Sequence, residues 1–196
     1  MLNKNILVVS VFLVVVYMSG CLFESIEDKG GFRAMSTPVS SVFMKESEAE
    51  NFQGLVPIRV FFIENDDMRL KMQIRYVDSK MASESVERLA QIILEELQKG
   101  PTKETGLDGV WGEGVDLVSD VYFEGGIVLL DFNEEFFKNL QEDESFEQLI
   151  VYSIVNSLTQ VRQVERVKFL KDGAEVEDYG GSLDINSLFH RNPNLS

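Results

Sequence analysis

Hydrophobic and polar residues alternate with clear periods along most of this chain, and the period changes at turn-forming residues. Residues 57–64 are rich in Ile, Val and Phe and run into Asn65-Asp66-Asp67, a turn cluster. Beyond it, Leu70, Met72, Ile74 and Tyr76 alternate with Arg69, Lys71, Gln73 and Arg75. A two-residue period sends successive side chains to opposite faces, which predicts a strand with its apolar face in the core and its cationic face in solvent. Together the two segments predict a hairpin. The spacing then turns helical. Val86, Leu89, Ala90, Ile93, Leu94 and Leu97 recur at three- and four-residue steps behind Ser83, the expected N-cap. Gly100-Pro101 ends that helix, because Gly accepts a left-handed conformation and Pro cannot continue one.

Residues 115–123 and 127–132 read as strands joined across Glu124-Gly125-Gly126. The second is almost wholly apolar, so it is expected to be central or covered on both faces. Asn133 is placed to cap a short helical turn over 134–137. After an acidic break at 142–144, a second helix is expected over 145–160, with Phe146, Leu149, Ile150, Ile154, Val155 and Leu158 on a wide apolar face. Residues 166–171 return as a strand, and 182–185 form a last extended piece. The order ββαββαβ predicts a two-layer α+β fold, a largely antiparallel or mixed sheet with two helices packed on one face.

The N-terminal pattern is of another kind. An apolar run over 6–17 follows Asn3, Lys4 and Asn5 and leads to Ser19-Gly20-Cys21, the three-part layout of a signal peptide. It is shorter than the roughly 20 residues that cross a bilayer comfortably. Met18-Ser19-Gly20-Cys21 resembles a bacterial lipobox, with Met where Leu is commonest. Cys21 is the only cysteine, and its nucleophilic sulfur can carry a diacylglyceryl thioether. At about 0.8 kcal/mol per buried CH₂, two or more acyl chains anchor a protein stably.

The expected division is therefore a signal peptide over 1–20, a lipidated N-terminus and flexible tether over 21–54, a folded domain over 55–187 and a polar tail over 188–196. Gly30-Gly31, a Ser/Thr/Pro cluster at 36–41 and the acidic stretch 46–50 mark the tether. The expected location is the extracytoplasmic face of the cell membrane.

Charge narrows the partners. With 18 Lys+Arg against 33 Asp+Glu the chain carries a net −15, a surface that repels nucleic-acid phosphates and anionic headgroups. Attachment to a membrane must then come from lipid. With Cys21 so used, the chain has no cysteine left for a disulfide.

Several stretches taken together are specific. They are Val60-Phe61-Phe62, the helix end from Leu94 through Glu95-Glu96-Leu97 to Gly100-Pro101-Thr102, and Leu130-Asp131-Phe132-Asn133-Glu134-Glu135-Phe136. To these add the run from Ile150-Val151-Tyr152-Ser153 through Asn156-Ser157-Leu158-Thr159, and that from Val164-Glu165-Arg166 to Lys171-Asp172-Gly173. In this order they resemble the GerMN domain of sporulation and spore-germination lipoproteins, over about two-thirds of the chain. Trp111-Gly112-Glu113-Gly114 stands where the family usually has a Pro-Gly-Thr-like turn. The resemblance implies a single non-catalytic α+β domain, tethered by lipid and used in assembling envelope structures. Other envelope proteins, or further copies of itself, are the implied partners.

No constellation of reactive residues emerges. His190, the only histidine, lies past the last predicted strand, without a nucleophile beside it in sequence. Asp131, Asn133 and Glu135 imitate the start of a calcium loop, but Phe136 stands where that loop needs Gly. Gly112-x-Gly114 has Leu117 in place of the third glycine of a dinucleotide loop and precedes a strand. No cofactor or metal site is expected. Two alternatives to an assembly module remain. One is a peptidoglycan- or small-ligand-binding lipoprotein, with Trp111 stacking on sugars. The other is a glycan hydrolase using Asp116 and Asp120, which would share a face of the predicted strand.

Overall fold

The first two alternating segments form the expected hairpin. The computed structural model describes residues 53–142 and 144–196. β1 (Leu55–Glu64) and β2 (Arg69–Asp78) pair antiparallel, with Phe61 opposite Met72 and Arg59 opposite Ile74. Met68 closes the turn at φ +48°. The signal peptide, Cys21 and nearly all of the tether lie outside the described residues.

The sidedness of this hairpin corrects the sequence reading. Of the apolar stripe on β2 only Leu70 is buried, whereas Met72, Ile74 and Tyr76 are 45%, 52% and 48% exposed. On the cationic side Arg69 and Lys71 stay exposed, but Gln73 and Arg75 are partly covered and Val77 is buried. Arg75 donates to the Gly100 carbonyl at 2.8 Å and lies over the Phe62 ring, and Gln73 meets Thr102 and Thr105. The cause is the next helix. Its C-terminal carbonyls and their partial negative charge end above this face, where a guanidinium is stabilised.

That helix is α2 (Val86–Gln98), preceded by a four-residue α1 (Ser79–Ala82). Asp78 caps α1, and Ser83 sits at its C-terminal end, so the N-cap of α2 is Ser85, whose hydroxyl accepts from the Arg88 N–H. Ser83 was the expected cap; the short helix occupies it.

The second sheet has β3 (Tyr122–Glu124), β4 (Ile127–Phe132), β5 (Arg166–Lys171), β6 (Ala174–Glu175) and β7 (Phe189–His190). β3 and β4 meet at Gly125-Gly126, both at positive φ as a type I′ turn requires. β4 and β5 run parallel, a pairing that needs a crossover. α3 (Glu134–Glu142) and α4 (Glu144–Leu158) supply it. The α+β class and the mixed sheet stand. The layers differ from expectation: the described residues form two sheets rather than one, and four α-helices rather than two.

Two further expectations are corrected here. Residues 115–121 are not a strand; they turn through bends, with one bridge from Leu117 to Phe132. The polar tail expected over 188–196 contributes a short strand to the second sheet. Phe189 is buried and pairs with Val167, while 182–185 is irregular. A single apolar residue at the right place closes the edge of β5, too short a signal to read as a strand.

The core sits around α4. From Val151 to Leu158 every residue except Tyr152 is fully buried, so this helix is covered all round rather than on one stripe.

Candidate interaction surface

A helix buried on every side cannot leave its polar groups unbonded, since each orphan costs about 1–3 kcal/mol. In α4 the buried polar residues are Glu147, Ser153, Asn156 and Ser157, and each bonds a distant stretch of the fold. Ser157 accepts from the Phe61 N–H at 3.0 Å, and Ser153 donates to the Phe61 carbonyl. Asn156 donates to the Asn192 carbonyl and accepts from its N–H, both at 2.9 Å. Glu147 accepts from the Tyr179 hydroxyl, the Ser182 hydroxyl and the Ser182 N–H. Burial pushes the Glu147 carboxyl up, but these bonds outweigh it and hold it below its ordinary value; the same contact and burial raise Tyr179. Gly181 leaves no room for a Cβ against Glu147 and Tyr179.

These bonds reveal which strand edges are closed. Phe61 turns both backbone groups to α4, and Ile63 exchanges two bonds with Asp108 at 3.1 and 2.9 Å. In an antiparallel pair the residue opposite an outward-facing one faces outward too. Leu70, Met72 and Ile74 therefore direct their backbone groups to the far edge of β2. Among the described residues no strand lies on that edge. A ten-residue strand with an open edge and an exposed apolar stripe is the form of a docking surface. Sequence reasoning found the stripe but assigned it to the core. What would have exposed it is the burial of both faces of β1 (Ile58, Val60 and Phe62 on one, Phe61 and Ile63 on the other).

The candidate chemical residues fall elsewhere. Asp116 and Trp111 line a cleft of about 180 Å³ beside Gln91, Glu95 and Gln98, below the roughly 300–1,000 Å³ of small-molecule pockets. Asp120 lines the shallow depression next to it. The bend at 118–119 removes the strand that was to align the two carboxylates. The Trp111 N–H is bonded to the Val115 carbonyl at 2.8 Å and its ring packs at 5.5 Å from Phe132, so the indole is fixed within the fold. Asn133 does not cap α3 with its side chain; it accepts from the Asp116 N–H and donates to the Gly114 carbonyl. Asp131 accepts from the Gly173 N–H at 2.8 Å. His190 is exposed on β7. Among the described residues no three His, Cys, Asp or Glu side chains are grouped to hold a metal ion, and no helix is long and apolar enough to cross a membrane.

An α+β domain with a buried crossover helix and, among the described residues, a long strand edge on β2 with no neighbouring strand is the class that these elements define. Residues 59–177 match the family model described as Germane, sporulation and spore germination, and the chain belongs to that family. The spore germination protein GerM of Bacillus subtilis (strain 168) is 30% identical over 119 residues, which cover 60% of this chain and 31% of that protein. The chain thus spans about a third of the length of this curated relative. The solved tandem GerMN domains of the sporulation protein GerM from Bacillus subtilis are 26% identical, with a TM-score of 0.53, over 71% of this chain and 47% of theirs. The first GerMN domain of the same protein shares the fold, with a TM-score of 0.52 at 24% identity, over 69% of this chain and 98% of that one.

Proposed function

We propose that this protein is a lipid-anchored assembly module on the extracytoplasmic face of the cell membrane, acting in sporulation or spore germination through contacts with envelope proteins and not through catalysis. The single observation that carries this reading is the exposed apolar stripe of Met72, Ile74 and Tyr76 on an open-edged strand. Such a surface is costly to leave in water and is suited to binding another protein. Membership of a sporulation and spore germination family supports the biological setting. The groups that could have formed an active site support it differently: Asn133, Asp131 and Glu147 are engaged in holding the fold.

Anchoring rests on Cys21 and the apolar leader before it. The Cys21→Ser protein is expected to leave the membrane fraction or to remain unprocessed; processed protein still bound to membrane would reject Cys21 as the anchor. Chemical cross-linking in intact envelopes tests the assembly role. It is expected to recover adducts larger than the monomer, and recovery of monomer alone would overturn that role.

A further inference from the structure

β2 is a cationic strand of an acidic chain, with Arg69, Lys71 and Arg75 on one face and Leu70, Met72, Ile74 and Tyr76 on the other. Any strand added to its far edge must match both patterns at once. From this we infer that the occupant is β2 of a second copy, paired antiparallel about a two-fold axis at Ile74, so that two hairpins merge into one four-stranded sheet. The inference rests on the proposed assembly role and names the surface that performs it.

The register follows from side-chain chemistry. Centred on Ile74, the pair sets Met72 against the second copy's Tyr76 and Ile74 against its own counterpart, apolar on apolar. On the opposite face Lys71 meets the second copy's Val77, and Gln73 meets its Arg75. No like charges stand directly opposite, an arrangement that would destabilise a pair. A slip that centres the pair on Gln73 sets Lys71 against Arg75. A slip that centres it on Arg75 sets two guanidinium groups face to face. The stripe and the charges thus select the same axis, and that self-complementarity is what points to a second copy rather than to an unrelated strand. An isologous contact of this kind closes on itself as a dimer.

The backbone fits the same axis. Ile74 directs its N–H and carbonyl outward, by the alternation that Phe61 and Ile63 establish on β1. The starts of the two β1 strands, each beside Asp78, would be offset by about 27 Å along the strands (eight residues at ~3.4 Å) and by ~14 Å across them (three strand spacings), roughly 30 Å in all. If the expected tether over 21–54 behaves as a flexible coil it would span roughly 30 Å on average, a reach compatible with two copies on one membrane.

The test is disulfide trapping in the full-length protein, in intact envelopes, with Cys21 as the sole native cysteine. Across a hydrogen-bonded antiparallel pair the Cα atoms lie about 5.5 Å apart, inside the range a disulfide spans. Ile74→Cys is expected to yield a covalent dimer on mild oxidation. Met72→Cys alone is expected to give none, while differently tagged Met72→Cys and Tyr76→Cys proteins expressed together give the mixed dimer. Leu188→Cys, exposed elsewhere on the domain, serves as the negative control. Ile74→Asp, which sets two carboxylates across the axis, is expected to abolish the dimer in native mass measurements with an unchanged circular dichroism spectrum.

A residue-74 thiol trapped on a different protein would overturn the second copy and leave the assembly role standing. The same holds for copies that cross-link only through another surface. A residue-74 thiol protected in a monomer would assign the edge to this chain's own 22–52 stretch and overturn the dimer. Monomer under every reagent would remove both readings.

Discussion

The two sheets of this domain treat their edges in opposite ways. β5 has its outer edge closed by two very short strands, β6 and β7, the second held by Asn156 through Asn192. β3, on the other side, is only three residues long, and brevity itself limits pairing with a foreign strand. In the first sheet, β1 is sealed by Ser153, Ser157 and Asp108. β2 runs for ten residues with nothing beyond it among the described strands. Among the described strands, three edges are closed or short and the ten-residue edge of β2 is neither. The closures also share a source, since most of the bonds come from polar groups on one buried helix.

The comparison can be broken most severely at that helix. Glu147→Ala would leave the buried Tyr179 hydroxyl and the part-buried Ser182 N–H without their acceptor, at a cost of about 1–3 kcal/mol, read as a lower denaturant midpoint. The carboxyl is also a pH sensor of stability. Because its folded value lies below the ordinary 4.5, its contribution is fully present above that pH. It is lost as pH falls through the lower folded value, and Glu147→Ala should flatten that acid limb. Ser157→Ala removes the acceptor of the Phe61 N–H and should cost about 1–3 kcal/mol. Hydrogen exchange at Phe61 should speed up accordingly.

Smaller effects sharpen the contrast. Met68 holds φ +48° in the turn between β1 and β2, a conformation unfavourable to a residue with a Cβ. Met68→Gly should therefore raise stability by about 0.5–1 kcal/mol in denaturant titration. The smallest change belongs to the open edge. Ile74→Asp should shift the stability of the monomer by no more than about 0.5 kcal/mol, because its side chain is already half in water. Set beside the loss of the dimer expected from the same substitution, this separates stability from the proposed association.

Much of the architecture is legible in the chain itself. The alternation over 57–76, the stripe from Val86 to Leu97, the Gly125-Gly126 turn and the apolar run of β4 are local patterns with local causes, and each element formed where its pattern lies. The candidate surface was legible as a set of residues but not as a surface. Period two shows that Met72, Ile74 and Tyr76 share a face; it does not say which face the core will take. That choice was made by α2, whose C-terminal carbonyls draw Arg75 inward, and by β1, whose two apolar faces already fill the space between α2 and α4. The buried Glu147 and Asn156 were equally silent in sequence, since their partners lie 32 or more residues away. Local backbone preference and side-chain period are properties of neighbouring residues, and the sequence alone determines them. Which face is wet, and which edge stays open, depends on atoms brought together from distant parts of the chain, and only the tertiary structure decides it.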